Sequence, residues 1–577
     1  MSFERLSLDL QQSCNFSNIW RGKVINPDTH DLSSDPTVLT KESVNSGQSS
    51  TLLQSCLFAG IFVLAGALRL SHINEPLVDS FSFRQTSTAM MAENFSRGNW
   101  NIFLPQVNWA GPGPTYTGRE FQTFTYLVAI LWALVGQHEW IGRAIAAAFG
   151  LLSLTSLYLL VRRIWGESYA LASAAVWAVL PGAIVIDRSF LPDPVMMGLV
   201  LTSLLCYVIF FQTRRFAYLY GAAGIGVLGI LTKLPGAVVV VPMVYATIKL
   251  LPREPSLARQ KLLFVTGIST IPVVAYYLWV VHVAKTYPPY HLAGVGNFIW
   301  SNHKEGWLSS WYFIPRAWSQ LTGWLWTWPG IILTFIGLVE SFSLKRSDMG
   351  KTRPFSGPWL FHWWLVGCVA LYLIAAYELV WNPWNFQVFN VVAAAFAGRA
   401  LIFVGRIRWF SNSQPAMFIA ISLPLIALTY SSVRALPQFW NLSQRAVDDY
   451  ELGKALCRIS QPGELVATVP GLMGDPRVIY YSHRRGWVFP DPYRNWGMLP
   501  PDGDSAIQAF ENLRLQKTRW FAVARSPIDY HRPPKNFWEY QRQLIEYVER
   551  TCERAHVSPH GIIYRILTPE EIAEKRR

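Results

Sequence analysis

The chain has 577 residues, 51% of them hydrophobic and only 15% charged, which excludes an ordinary soluble globular protein. Many apolar runs approach the about 20 residues that carry a helix across a bilayer, so the fold class is a polytopic α-helical membrane protein. The formal charge of +14 does not signal nucleic acid, because the basic residues fall in pairs behind apolar segments, as in cytoplasmic membrane loops.

Residues 1–50 are rich in Ser, Asp, Asn and Thr, and read as a disordered cytoplasmic leader without a cleavable signal peptide. The first crossing is expected at 52–70. Further apolar segments lie at about 122–136, 141–161, 168–186, 194–211, 216–232, 235–251, 262–283, 321–342, 359–379, 386–404 and 415–433. Arg162 and Arg163, Arg214 and Arg215, Lys249 to Lys261, Lys345 to Arg353, and Arg406 and Arg408 occupy every second connection. That alternation places those loops in the cytoplasm. The run at 122–136 is short for a crossing and reads as an interfacial or re-entrant helix inside a first external loop, 71–140. Eleven crossings remain, and residues 284–320, the junction at Lys233 and the C-terminal region 437–577 fall outside.

That C-terminal region is a different material. VDDYELGKALCRI and DSAIQAFENLRL have helical periodicity, whereas LVATVP, RVIYYSH, RWFAVAR and GIIYRIL are short β-type runs. A soluble α/β domain is expected. The cysteines show no CxxC or CxxxH spacing. Cys457 and Cys552 share the C-terminal domain, and their pairing is left open.

Charges in or beside crossings are costly and so are candidates for function. Asp79, eight or so residues beyond the first crossing, is suited either to accept a proton from an attacking hydroxyl or to cap the helix that follows. Arg119 and Glu120 precede the short helix: the arginine suits a lipid phosphate, and the two equally suit an Arg–Glu pair. Arg143 opens the second crossing and either snorkels or meets phosphate. In IVIDRSFLPDPVMM, Asp187 and Arg188 are expected to neutralise each other, and Asp193 has no local partner. Lys233 needs an anion, either a neighbouring Asp or a ligand phosphate. Tyr287 and His291 are further candidates in the loop 284–320. No Walker, GxGxxG, HExxH or zinc pattern is present.

Taken together, Asp79, YTGREFQTFTYLVA, WIGRAIAAAFGLLSLTSLYLLVRRIWG, DRSFLPDPVMM and LTKLPGAVVVVP resemble the bacterial branch of the dolichyl-phosphate-mannose–protein mannosyltransferase superfamily. These are GT-C glycosyltransferases, a class that includes the aminoarabinose transferase acting on lipid A. The likeness covers about 52–250 well and 251–430 by topology alone. It implies a catalytic module at 51–250, the remaining crossings at 251–436, and an active site on the non-cytoplasmic face of a plasma membrane. It also implies a polyprenyl-phosphate sugar donor and a protein, lipid or glycan acceptor. By the same likeness Asp79 and Asp193 are the catalytic acids, Lys233 faces the donor phosphate, and Arg143 opens the second crossing. Inversion at the anomeric carbon is expected. Two departures stand out: Ser80 follows Asp79 where a Glu is frequent, and Arg119-Glu120-Phe121 replaces Lys-Pro-Pro or His-Pro-Pro. The second leaves a divalent metal at Glu120 open, and no cofactor is fixed. A transporter or flippase of lipid-linked saccharide is the alternative, disfavoured by the absence of internal repeats. A degenerate scaffold is another.

Overall fold

A computed structural model describes residues 36–117, 120–287, 306–342, 357–440, 442–472, 474–489, 501–527 and 536–576. Arg119 and His291 lie outside these residues. Helices occupy every segment expected to be apolar. Among the described residues seven are long and apolar enough to cross a membrane, from Leu52–Leu70 to the one that begins at Gln414. Two more segments are bent pairs, Glu167–Val179 with Pro181–Asp187 at 64° and Ser310–Leu325 with Thr327–Phe342 at 105°. Leu180 precedes Pro181 in extended backbone, the conformation that a following proline imposes, and the first bend is there.

The first helix runs Pro36–Leu70, so it begins inside the stretch read as a disordered leader. Extending a helix costs far less than nucleating one, and the apolar half supplies the nucleus. The segment at 122–136 is a helix of 13 residues, Thr123–Val135. Phe124, Val128, Ala129 and Trp132 are buried, while Leu127, Ile130, Leu131 and Leu134 are exposed. An apolar face left outside the core is what a short helix lying in the membrane border presents.

The hairpin Asp193–Thr213 and Phe216–Thr232 fixes two polar positions at once. Asp193 and Pro194 stand in the first turn of one helix, and Lys233 caps the far end of the next. An acid at a helix N-terminus and a base at a C-terminus each complement the dipole. Arg214 and Arg215 mark the opposite tip. Arg162 pairs with Glu167 at 2.6 Å, and Arg406 donates to the Tyr169 hydroxyl at 2.8 Å; these sit at the other end from Arg143. The helix Glu139–Ile164 therefore separates its two sets of basic residues by most of its length, roughly 30 Å at about 1.5 Å per residue.

The C-terminal domain contains the expected helices, Gln444–Ile459 and Asp504–Leu515. Its sheet has six strands: β1 Ala110–Gly111, β2 Leu465–Val469, β3 Arg485–Val488, β4 Thr518–Ala524, β5 Cys552–Ser558 and β6 Gly561–Ile566. Their spatial order is β1-β3-β2-β4-β6-β5, with β3, β2 and β4 parallel and the other pairings antiparallel. The strand expected at RVIYYSH is instead a helix, Arg477–Ser482. Asp475 accepts from the Arg477 amide at 3.0 Å to start it, and every residue in it is buried. Packing overrides the β preference: burying Val478 and Ile479 contributes about 1.5–3 kcal/mol each. Cys457 and Cys552 are free thiols.

β1 comes from the first loop, more than 350 residues before β3. One apolar cluster joins Leu77, Val78, Phe95 and Trp109 of that loop to Phe190, Ile479 and Tyr480. The first loop, the Phe190 turn and the C-terminal domain thus lie at the same end of the helix bundle.

Candidate active site

Asp79 sits in the turn before the helix Ser82–Ser96. Its Oδ1 accepts from the Phe81 amide at 2.8 Å and from Gln85 Nε2 at 2.5 Å. Gln85 Oε1 in turn accepts from the Phe190 amide at 2.8 Å, tying this carboxylate to the DRSFLPD turn. Oδ2 lies 3.9 Å from Arg143 Nη2, and the aspartate side chain is 7% exposed. Arg143 does not snorkel. It is 1% exposed and donates to the carbonyls of Ile73, Glu75 and Pro76, so it shapes the loop that leads into Asp79.

Asp193 has a partner after all. Lys233 Nζ donates to both of its oxygens, at 2.8 and 2.7 Å, with both side chains buried. The neighbouring aspartate is one of the two anions left open for Lys233. The Trp384 ring lies 5.8 Å from the ammonium. Beside this pair, Arg84 binds Glu120, and both exert their charge on Asp193 and Lys233. Arg84 is the residue that sequence reasoning missed. A lone base in SFSFRQTS, on a helix buried at Ser82 and from Arg84 to Phe95, had to be paired. Its neighbour Gln85 holds Asp79, so adjacent positions on one helix link the Asp79 region to the Asp193–Lys233 region.

Asp187 and Arg188 do not neutralise each other. Asp187 ends a helix, where the dipole disfavours an acid. It is compensated by Arg69 Nε at 2.8 Å, with both side chains 0% exposed, and by Gln387 Nε2 at 2.5 Å. A side chain at Gly150 would place its Cβ 2.6 Å from that of Asp187, so this glycine lets the two helices close over the pair. Arg188 donates to the His72 carbonyl at 2.9 Å and to Glu75 at 3.3 Å, over the Trp440 ring. Replacing Arg69 with Met is expected to destabilise the protein by about 3–5 kcal/mol, because it leaves a buried carboxylate alone. A thermal midpoint equal to that of wild type would contradict this role.

Tyr287 caps the helix Ser256–Thr286 and meets Tyr116 of the first loop edge-on at 5.1 Å. Among the described residues no three His, Cys, Asp or Glu side chains group to hold a metal ion. Glu120 and Asp193 each face a basic group.

In the C-terminal domain, Arg477 pairs with Asp449 at 3.0 Å and Asp475 at 3.2 Å, all buried. Full burial, offset in part by Arg477, pushes the Asp449 carboxyl up to about 7. Burial and the Glu139 carboxylate push the Tyr480 and Tyr481 phenols well up, so both stay protonated donors.

The chain thus combines a helical membrane body, a short apolar helix, charged side chains gathered at one end, and an α/β domain on that end. The comparisons agree. Residues 123–279 match the family model of dolichyl-phosphate-mannose-protein mannosyltransferases. The chain is similar to ArnT from Cupriavidus metallidurans, solved with undecaprenyl phosphate: 12% identity, TM-score 0.58, covering 90% of this chain and 98% of that one. It is similar to the Archaeoglobus fulgidus oligosaccharyltransferase solved with zinc and sulfate: 14% identity, TM-score 0.54, covering 88% and 73%. It is also similar to the arabinofuranosyltransferase AftD from Mycobacteria, with 14% identity and TM-score 0.52, over 89% of this chain and 40% of that one. No curated protein sequence matches it. The chain is a multi-pass membrane protein with the fold of the GT-C glycosyltransferases.

Proposed function

We propose that this protein transfers a sugar from a polyprenyl-phosphate carrier to an acceptor hydroxyl or amine on the non-cytoplasmic face of the membrane. The observation that carries the reading is the convergence of Asp79, Arg84, Glu120, Asp193 and Lys233 at the bundle end opposite the paired arginines. Paired arginines face the cytoplasm as a rule, which supports an outward site. ArnT bound to undecaprenyl phosphate, and the archaeal oligosaccharyltransferase tethered to an acceptor peptide, support a lipid donor and a separate acceptor.

The carrier phosphate enters sideways from the bilayer. An ammonium has three donors, and Asp193 takes two from Lys233, leaving one for a phosphate oxygen. Arg84 adds a second cation beside it, and positive charge stabilises the leaving phosphate as its bond to the anomeric carbon breaks. Asp79 is anchored through Oδ1, which leaves Oδ2 to accept the acceptor proton. Attack from the side opposite the phosphate inverts the anomeric carbon.

Mass spectrometry of envelope glycans and lipid carriers in a deletion strain tests this. The expected result is one glycan short of a single sugar residue, with the sugar-loaded polyprenyl phosphate accumulating. Unchanged glycans and carriers would overturn the reading.

A further inference from the structure

Three groups flank Asp79 on its own segment: the amide of Leu77, the carbonyl of Val78 and the hydroxyl of Ser82. Each is held by the C-terminal domain, some 400 residues away. The Leu77 amide donates to the Tyr481 hydroxyl at 2.6 Å. Arg477 Nη1 reaches the Val78 carbonyl at 3.5 Å. Ser82 Oγ donates to Asp475 Oδ2 at 2.6 Å. The holders are themselves fixed, because Asp475 and Asp449 grip Arg477 from two sides, and Asp449 accepts from the Gly471 amide at 2.8 Å. Tyr480 and Tyr481 also lie against Glu139, one helical turn before Arg143, whose Nη2 is 3.9 Å from Asp79 Oδ2. The loop has no regular structure of its own between Leu70 and Ser82.

We infer that Asp475, Arg477 and Tyr481 are positioning residues for Asp79, so that the C-terminal domain forms the back wall of the active site. The inference rests on the proposed role of Asp79 in transfer. The short helix Arg477–Ser482 is the working part. It locks the turn on both sides of the carboxylate, while Oδ2 stays turned toward the bundle. A buried amide that loses its acceptor is costly, so the loop would shift to find another. A displacement of about 1 Å at a reacting group can cost about a hundredfold in rate.

Two measurements on the full-length protein test this, using Tyr481→Phe, which removes one hydroxyl and little volume. The first is hydrogen exchange of the peptide spanning residues 75–85. At least tenfold faster exchange is expected there, with exchange in β2 and β4 unchanged. Wild-type exchange across that peptide would overturn the inference whatever the protein's activity. The second is the rate of glycan restoration in the deletion strain, for Tyr481→Phe, Asp79→Asn and the double variant. A residue that acts through Asp79 costs roughly ten- to a hundredfold alone and nothing further in the Asp79→Asn background. Losses that multiply in the double variant would overturn the inference. Full restoration by Asp79→Asn would instead overturn the functional reading, and the exchange result would still decide whether Tyr481 orders the loop.

Discussion

Replacing Asp79 with asparagine is expected to lower sugar transfer by about 10²- to 10⁴-fold, the range a positioned general base supplies. Folding should survive. Asparagine keeps the oxygen that receives the Phe81 amide and Gln85, and it matches the volume. Arg143 loses a carboxylate 3.9 Å away but retains three backbone carbonyls. The stability cost is therefore of the order of 1 kcal/mol. Glycan restoration in the deletion strain reads the first effect, and the thermal midpoint of the purified protein reads the second. Normal transfer by Asp79→Asn would remove this residue from the chemistry.

The second large effect concerns the Asp193–Lys233 pair, which lies between a helix N-terminus and a helix C-terminus. Asp193→Asn and Lys233→Met each strand one buried charge, and each is expected to destabilise the protein by about 3–5 kcal/mol. The double variant strands neither. Its stability should return most of the way to wild type, while transfer stays absent because the cation for the phosphate is gone. Stability and activity thus separate in one set of three proteins. If the two destabilisations simply add, the residues do not act as a pair. If the double variant transfers sugar, Lys233 does not serve the donor.

The membrane body was legible because its signals are local. Runs such as the one at 52–70 and the pairs Arg162–Arg163 and Arg214–Arg215 mark crossings and their ends without knowledge of any partner. Asp79, Arg143, Asp193 and Lys233 stood out for the same reason, since a charge among apolar residues is conspicuous alone. Partners were not legible, because they depend on distance in space. Asp187 reads as the neighbour of Arg188, yet its cation is Arg69, 118 residues earlier. Asp193 and Lys233 were separate candidates until a helical hairpin brought them together. Arg84 was hidden among serine, threonine and phenylalanine, where only the burial of its helix shows that it must be paired. RVIYYSH misled because β-branched and aromatic residues suit a strand when half-buried, and here they are buried all round. β1 could not have been found at all: two residues, Ala110 and Gly111, become a strand only because β3 offers them an edge.

The proposed transfer requires one chamber that holds both the phosphate site and the base. A cryo-EM structure of the full-length protein in a lipid nanodisc with added polyprenyl phosphate measures this directly. Phosphate density is expected within hydrogen-bond reach of Lys233 or Arg84, in a cavity that Asp79 also lines. Density at the end of the bundle that carries Arg162 and Arg214, or a wall of packed side chains between the phosphate and Asp79, would contradict it.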